Sequence, residues 1–587
     1  MASNAFSTPL TSYLIDRYNM KGSTATDVNN IFSGALNFSP VVGAFVADAF
    51  WGRFKTLLFG SVFGIIAMVV ITLSATIHQL KPPACSAVAR EAGTCLGPSG
   101  LHRAVLYTGM ALLVVSAGGA NPTALPFGAD QFDARSSNER HKRGLARYYN
   151  WFYVIAMTAT FLSLTVLVYL QTKVSWALGF AIPTALMLAA FPVFLAGARV
   201  YVRVPPEGSI FTSVARVFVA SCRKWRLLLP HPGDAQRQEE ELYNPAIPAS
   251  AGNNNNNAQV FYTLPLTLQL SFLNKAAIVT DADEEIRAED GSPVRPWRLC
   301  SVQQVEEAKC LVKVVPVWVS GVVWFTTLTE MVNYTFFQAN TMDLHIGKHF
   351  TVPPMSIIAF LYLSVALAVP VYDLLVTKLL LLVKARRRGR TVTLLQRQGA
   401  GLVVGAAAFV VAAVVERRRR RSALQSDGGV SSPTSAFVLA PQLAVLGVSG
   451  ALNLVGQMEF YNTQFPDQMR TLGNAAFYCA QGVSSYLATL VVNVVNARTR
   501  RHRQGGVGWA SDDINAGRLD YFYYAMAVLG AANFVYFLVC SHFYQYKGEQ
   551  QQPRATDDAL IAEPEDQPAR DSAASTTDGS EAALIKT

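Results

Sequence analysis

Apolar stretches long enough to cross the hydrocarbon core of a bilayer recur along this chain. They run approximately over 31–50, 56–77, 104–125, 149–170 and 176–196 and, after a gap, over 312–337, 353–376, 400–415, 437–455, 471–494 and 521–543. A spanning helix needs about 20 apolar residues, because a backbone group left unpaired in hydrocarbon costs several kcal/mol. The pattern therefore predicts eleven full spans. A twelfth is half present. Met1–Leu14 is weakly apolar, too short to span and followed by the polar stretch IDRYNMKGSTATD, so it reads as the second half of a helix whose start precedes Met1.

The gap has a different character. Between Arg203 and Glu306 lie HPGDAQRQEEE, five consecutive asparagines at 253–257, and DADEEIRAEDGSP, none of which can cross a membrane. This predicts a long polar loop over 203–305, disordered around the asparagines, with an interfacial helix near 210–229. The expected organisation is an N-terminal helical bundle at 1–202, the loop, a C-terminal bundle at 306–546 and a disordered acidic tail at 547–587. Two six-helix bundles split by such a loop are the pattern of halves that rock about a midplane site.

Composition agrees: 51% of residues are hydrophobic, 15% are charged and the mean hydropathy is +0.25. The net charge of +10 sits in short runs between apolar stretches, which suits membrane-surface anchors better than a nucleic-acid face. GRFK at 52–55, RSSNERHKRGLAR at 135–147 and KARRRGR at 384–390 fall on the side of the central loop and make that side cytoplasmic. RRRRR at 417–421 and RTRRHR at 498–503 fall on the other side and oppose it. The seven cysteines form no CxxC pair, and no metal or cofactor site is suggested; Cys85 and Cys95 share one loop and are either a disulfide or two free thiols. Membrane catalysis would need convergent acid, base or nucleophile groups, and the histidines fall in loops or near helix ends without partners, so no enzyme is expected.

The stretch GAFVADAFWGRFKTLLFG places Gly43, Asp48, Gly52, Arg53 and Lys55 at the loop-side end of the first complete span. Gly43 would let two helices approach closely, Asp48 would cap a facing helix N-terminus, and Arg53 would pair across the bundle in a closed gate. FGADQFD at 127–133, with Asp130 and Asp133, follows a Gly118-Gly119 pair. Further stretches are YYNWFY, FLNKAA, PWRLCSVQQVEEAKC, LLQRQGAG, PQLAVLG, GQMEFYNTQFPDQMR and GRLDYFYY, in that order. Together they resemble the plant nitrate/peptide transporter family, the proton-dependent oligopeptide transporters of the major facilitator superfamily. The PWRLCSVQQVEEAKC stretch looks most like the branch carrying nitrate or glucosinolates. The resemblance implies a major facilitator fold of twelve helices and proton-coupled uptake of a small molecule across the plasma membrane by alternating access.

Three ionisable elements usual in that family are missing. An ExxER motif early in the first helix is absent, Asn121 fills the place of a helix-4 cation, and Gly450 fills that of a helix-10 glutamate. The last two losses are coherent, since removing one member of a buried pair would strand a charge at about 3–5 kcal/mol. No histidine stands near 328–330, where some relatives use one for nitrate. Glu330, inside the apolar run of helix 7, is then the candidate proton site, or else an acid at the outer mouth paired with Arg17 or Lys21. Asn37, Asn121, Tyr149, Trp151, Trp324, Tyr334, Gln338, Asn453, Gln457, Tyr478 and Gln481 are candidates for a substrate cavity, with packing as the competing role of each. Thr56 follows Arg53 at kinase spacing and is a candidate phosphosite. The implied function is transport of nitrate or an organic anion such as a glucosinolate, protons being the expected co-substrate; a non-conducting or regulatory relative, or a shortened product, is the alternative.

Overall fold

The computed structural model describes residues 6–546 apart from 8, 21, 84–96, 133–138, 204–209, 230–240, 245–265, 268, 281–294, 296, 348–349, 385–392, 426–431, 466–468, 501–506 and 512–513. The short α1 (Leu10–Asp16) leads into α2 (Gly22–Val46), α3 (Gly52–Thr76), α4 (Gly100–Asp130), α5 (Glu139–Leu162) and α6 (Trp176–Ala196). After α7 (Ile210–Arg223) come α8 (Val302–Asn340), α9 (Ala359–Lys384), α10 (Leu394–Gln425), α11 (Ala440–Gln464), α12 (Arg470–Arg500) and α13 (Leu519–Phe543). Among the described residues ten stretches are long and apolar enough to cross a membrane, and the first, Val28–Thr76, contains most of α2 and all of α3, so each span in the hydropathy pattern has its helix. The acidic tail, Asp133, Cys85, Cys95 and the five asparagines lie outside the described residues.

The helices overrun their apolar stretches where polar residues find partners. α8 starts ten residues before its predicted span because Ser301 and Gln304 form a reciprocal capping box. α10 continues through the arginine run. Arg419, 1% exposed, donates from Nε and Nη2 to Glu416 at 2.7 and 2.8 Å and from Nη1 to Thr341 and Asn515. Glu416 also accepts from Gln338 of α8, which in turn accepts from Tyr523 of α13 and from Gln442 of α11. Arg420 donates to the Asn515 carbonyl. Two arginines that opposed the expected orientation are therefore structural partners inside the bundle, not surface anchors.

Packing divides the molecule by depth. On the end away from the central loop each bundle has its own core: Tyr13, Phe32, Met68, Ile71, Leu106 and Phe180 in one, Met331, Phe409, Leu443, Phe522 and Tyr523 in the other. On the loop side a single core joins both, with Leu125, Tyr149 and Tyr153 packed among Val314, Phe325, Met458, Tyr461 and Phe477. The bundles are thus sealed against each other at the loop side and separately packed at the far side. Two seams continue further: Phe38 of α2 stacks on Tyr486 of α12, and Ser356 before α9 donates to the Leu164 carbonyl after α5.

The central loop is more ordered than its polarity predicts. Val217 and Ala220 of α7 pack on Leu273, Ala276, Ala277, Cys300, Val305 and Ala308. Lys224 donates to the Ile278 carbonyl at 2.6 Å. Lys309 of α8 is wholly buried against Glu306 at 2.6 Å, and both clasp Thr267. Apolar spacing hidden within a polar stretch produces this module.

Candidate functional site

The chain reverses between α2 and α3 through a π turn at Ala47–Trp51 and Gly52, whose φ of 75° lies where a Cβ is strained. This reversal sets Asp48 and Arg53 side by side at the loop side. Arg53 is 6% exposed, and its Nη1 donates to both oxygens of Asp130, the last residue of α4, at 2.7 and 2.8 Å. Its Nε donates to the Thr471 hydroxyl of α12, in the other bundle, at 2.9 Å. Thr471 also hydrogen-bonds Asp48, which places that carboxylate over the positive end of α12. Arg53 thus makes its ion pair within its own bundle and reaches the other through the Thr471 hydroxyl.

Close helix approach brings these groups together. A Cβ on Gly43 would collide with the backbone carbonyl of Gly118, and one on Gly60 would press on Gly119. Thr56 is 4% exposed and donates to the Gly52 carbonyl, with its own carbonyl against Gly119. A kinase cannot reach a hydroxyl so placed, so the Thr56 phosphosite finds no support in this conformation.

The candidate cavity residues separate into two groups. Asn37, Asn121 and Gln481 stand half-buried on α2, α4 and α12, three helices in mutual contact, and their amides make no hydrogen bond to a described residue. Asn37 lies against Gly482, beside Gln481. Of the candidates these three leave the whole side-chain amide without a described partner, whereas Asn453 and Gln457 each leave one amide atom so. The others are engaged in packing: Gln457 donates to Asn453 and fills the space at Gly321, Trp324 donates to Ser449, Tyr334 donates to the Ala510 carbonyl and packs on Phe522, and Gln338 joins the Glu416 network. Tyr149 and, more loosely, Tyr478 belong to the shared loop-side core. Trp151 is 60% exposed, on one stripe with Ile155, Leu162 and Val166, and so points away from the packed interior. A crevice of about 460 Å³ between α5 and α9, lined by Phe161, Thr165, Tyr169, Phe350 and Phe437, contains none of these residues.

Glu330 is 2% exposed and forms no hydrogen bond or ion pair with a described residue, Arg17 included; Lys21, the other expected partner, lies outside the described residues. Glu416 is tied to Arg419 and Asp520 to Arg518, so Glu330 is set apart from both. It is buried in the bundle, not solvated at a mouth.

The sequence matches the POT family (PTR2) over residues 54–509. The chain belongs to the POT family. It is 38% identical over 542 residues to Protein NRT1/PTR FAMILY 2.12 of Arabidopsis thaliana, covering 92% of this chain and 88% of that protein. Protein NRT1/PTR FAMILY 2.9 of the same plant is 40% identical over 548 residues, covering 92% and 89%. Among solved structures, an auto-inhibited POT family peptide transporter superposes with a TM-score of 0.59 at 18% identity, covering 94% of this chain and 96% of that one. The POT family transporter PepTSo gives 0.56 at 17%, covering 93% and 95%. The chain is a multi-pass membrane transporter with the major facilitator fold.

Within this POT transporter one loop-side ion pair is not evident from the motifs alone. Arg397, at the loop-side start of α10, donates to Glu459 near the loop-side end of α11 at 3.3 Å and to the Ala451 carbonyl, and stacks on Tyr372. It repeats in the C-terminal bundle the placement of Arg53 and Asp130. The signal was available in LLQRQGAG, which sets an arginine at the start of an apolar run as GRFKTLLFG does, in keeping with parallel repeats of the two halves.

Proposed function

We propose that this protein moves nitrate or a small organic anion such as a glucosinolate across the plasma membrane by alternating access, with the loop side cytoplasmic. The observation that carries the reading is the loop-side closure, in which Arg53 holds Asp130 of its own bundle and Thr471 of the other while the far halves keep separate cores. That is a state shut toward the cytoplasm, and releasing the Arg53 cluster is the step that would open it.

The amides of Asn37, Asn121 and Gln481, unpaired among the described residues, supply donors and acceptors without fixed charge, which suits a polyatomic solute held by hydrogen bonds. The likeness of PWRLCSVQQVEEAKC to the nitrate and glucosinolate branch supports the substrate class. Glu330 is the proposed proton site, since an ionised carboxylate buried without a partner among the described residues is costly and transport gives it a reason to be there. Uptake of labelled nitrate, a glucosinolate and a dipeptide into oocytes tests the substrate. Saturable uptake of an anion supports the reading; uptake of the dipeptide alone would replace it.

A further inference from the structure

α7 has two apolar faces. One, through Val217 and Ala220, closes the core of the central-loop module. The other begins with Phe218 and Cys222 and continues past the end of the helix through Trp225 and Leu228, and it faces outward: Trp225 is 65% and Leu228 91% exposed. Arg223 and Arg226 flank the stripe, and Arg226 lies over the Trp225 ring at 5.0 Å. Nearby, Trp297 is 44% exposed with Arg216 over its ring, and Lys275 donates to the Trp225 carbonyl. Among the described residues of 210–301, Arg216, Arg223, Lys224, Arg226, Lys275, Arg295 and Arg298 face a single acid, Glu241. The remaining acids of the loop fall at 234–240 and 281–290, outside the described residues.

The module's position supplies the second half of the argument. It sits on the first turns of α8 through Thr267, Glu306 and Lys309, and Gln269 donates to the carbonyl of Phe543, the last residue of α13. Phe543 ends its apolar span at the loop-side boundary, and the first turns of α8 stand just outside theirs. An exposed Trp and Leu stripe rimmed by arginines at that depth matches neither water nor hydrocarbon. It matches the headgroup region, where indole rings settle and guanidinium groups meet phosphate and carboxylate.

We infer that the outer face of α7 is a docking surface for the anionic lipid headgroups of the inner leaflet. The leaflet thereby holds the module that is latched to the base of α8. This rests on the cytoplasmic assignment of the loop side, but its readout is lipid contact and not transport, so the two fail separately.

The test uses the full-length protein in nanodiscs of phosphatidylcholine alone or with phosphatidylserine added. Hydrogen exchange is followed in peptides covering 212–229, with 271–278 as the folding control. Adding phosphatidylserine should slow exchange of the α7 peptide on the order of tenfold, each exposed arginine contributing about fivefold or less. An R223Q/R226Q variant should lose the lipid dependence while the control is unchanged, and brominated acyl chains should quench wild type more than W225F. Equal exchange in both lipid mixtures would overturn the proposal. So would protection that vanishes when residues 281–290 are neutralised, because the acids of the chain itself would then be the occupant.

Discussion

Arg397 is placed relative to Glu459 much as Arg53 is relative to Asp130: each arginine lies in the first turn of a helix at the loop side and meets an acid at or near the end of the next one, at 3.3 and 2.7 Å. The two locks differ in burial. Asp130 is 8% exposed at its side chain and Glu459 28%, so water screens the second pair more. Arg53→Gln should open the loop side, and Arg397→Gln should do so less. The check is maleimide labelling of a cysteine placed at Tyr149, buried in the shared core. Faster labelling in R53Q than in R397Q, and slowest without either change, is expected.

Gly43 is fixed by space. Any Cβ there meets the Gly118 carbonyl of α4, and backbone cannot move aside as a long side chain can. Gly43→Ala should destabilise the N-terminal bundle by about 1–3 kcal/mol. A lower midpoint of thermal unfolding in detergent, with Gly100→Ala unchanged because nothing lies within 4 Å of its Cβ position, is the expected result.

The Glu416–Arg419 pair is buried on both sides, and removing one partner strands the other charge. Glu416→Gln or Arg419→Met alone should cost about 3–5 kcal/mol, while the double replacement should recover much of the loss. A double-mutant cycle on the thermal midpoint measures the coupling; strict additivity would show that the two charges act independently.

Glu330→Gln keeps the shape and removes the titratable proton. Wild-type uptake should rise as the external pH falls, and the variant should lose that dependence while still exchanging solute. Uptake measured across pH 5 to pH 8 decides it, and an unchanged profile would remove Glu330 from coupling.

Much of the fold was legible because a bilayer imposes length and polarity on every helix. Hydropathy located the helices, and glycine with charge spacing located the Arg53 lock. The arginine run at 417–421 misled because composition cannot show that Glu416, one turn earlier, draws Arg419 inward. Trp151 misled because an aromatic residue on a span looks alike whether it faces a cleft or lipid. The folded part of the central loop was hidden because its apolar contacts join residues as distant as Val217 and Ala308. The cavity was only partly readable: Asn121 and Asn453 are both amides on spans, and only packing shows that Asn453 accepts from Gln457 while no described residue engages the Asn121 amide.

Counterflow in proteoliposomes tests alternating access most directly. The purified protein is reconstituted, the lumen is loaded with unlabelled solute, and entry of the labelled solute is followed for nitrate and for a glucosinolate. Internal solute should accelerate entry of at least one of them, saturably, and Arg53→Gln should lower the exchange rate. Entry that ignores the internal solute, or no entry of either by correctly inserted protein, would contradict the account.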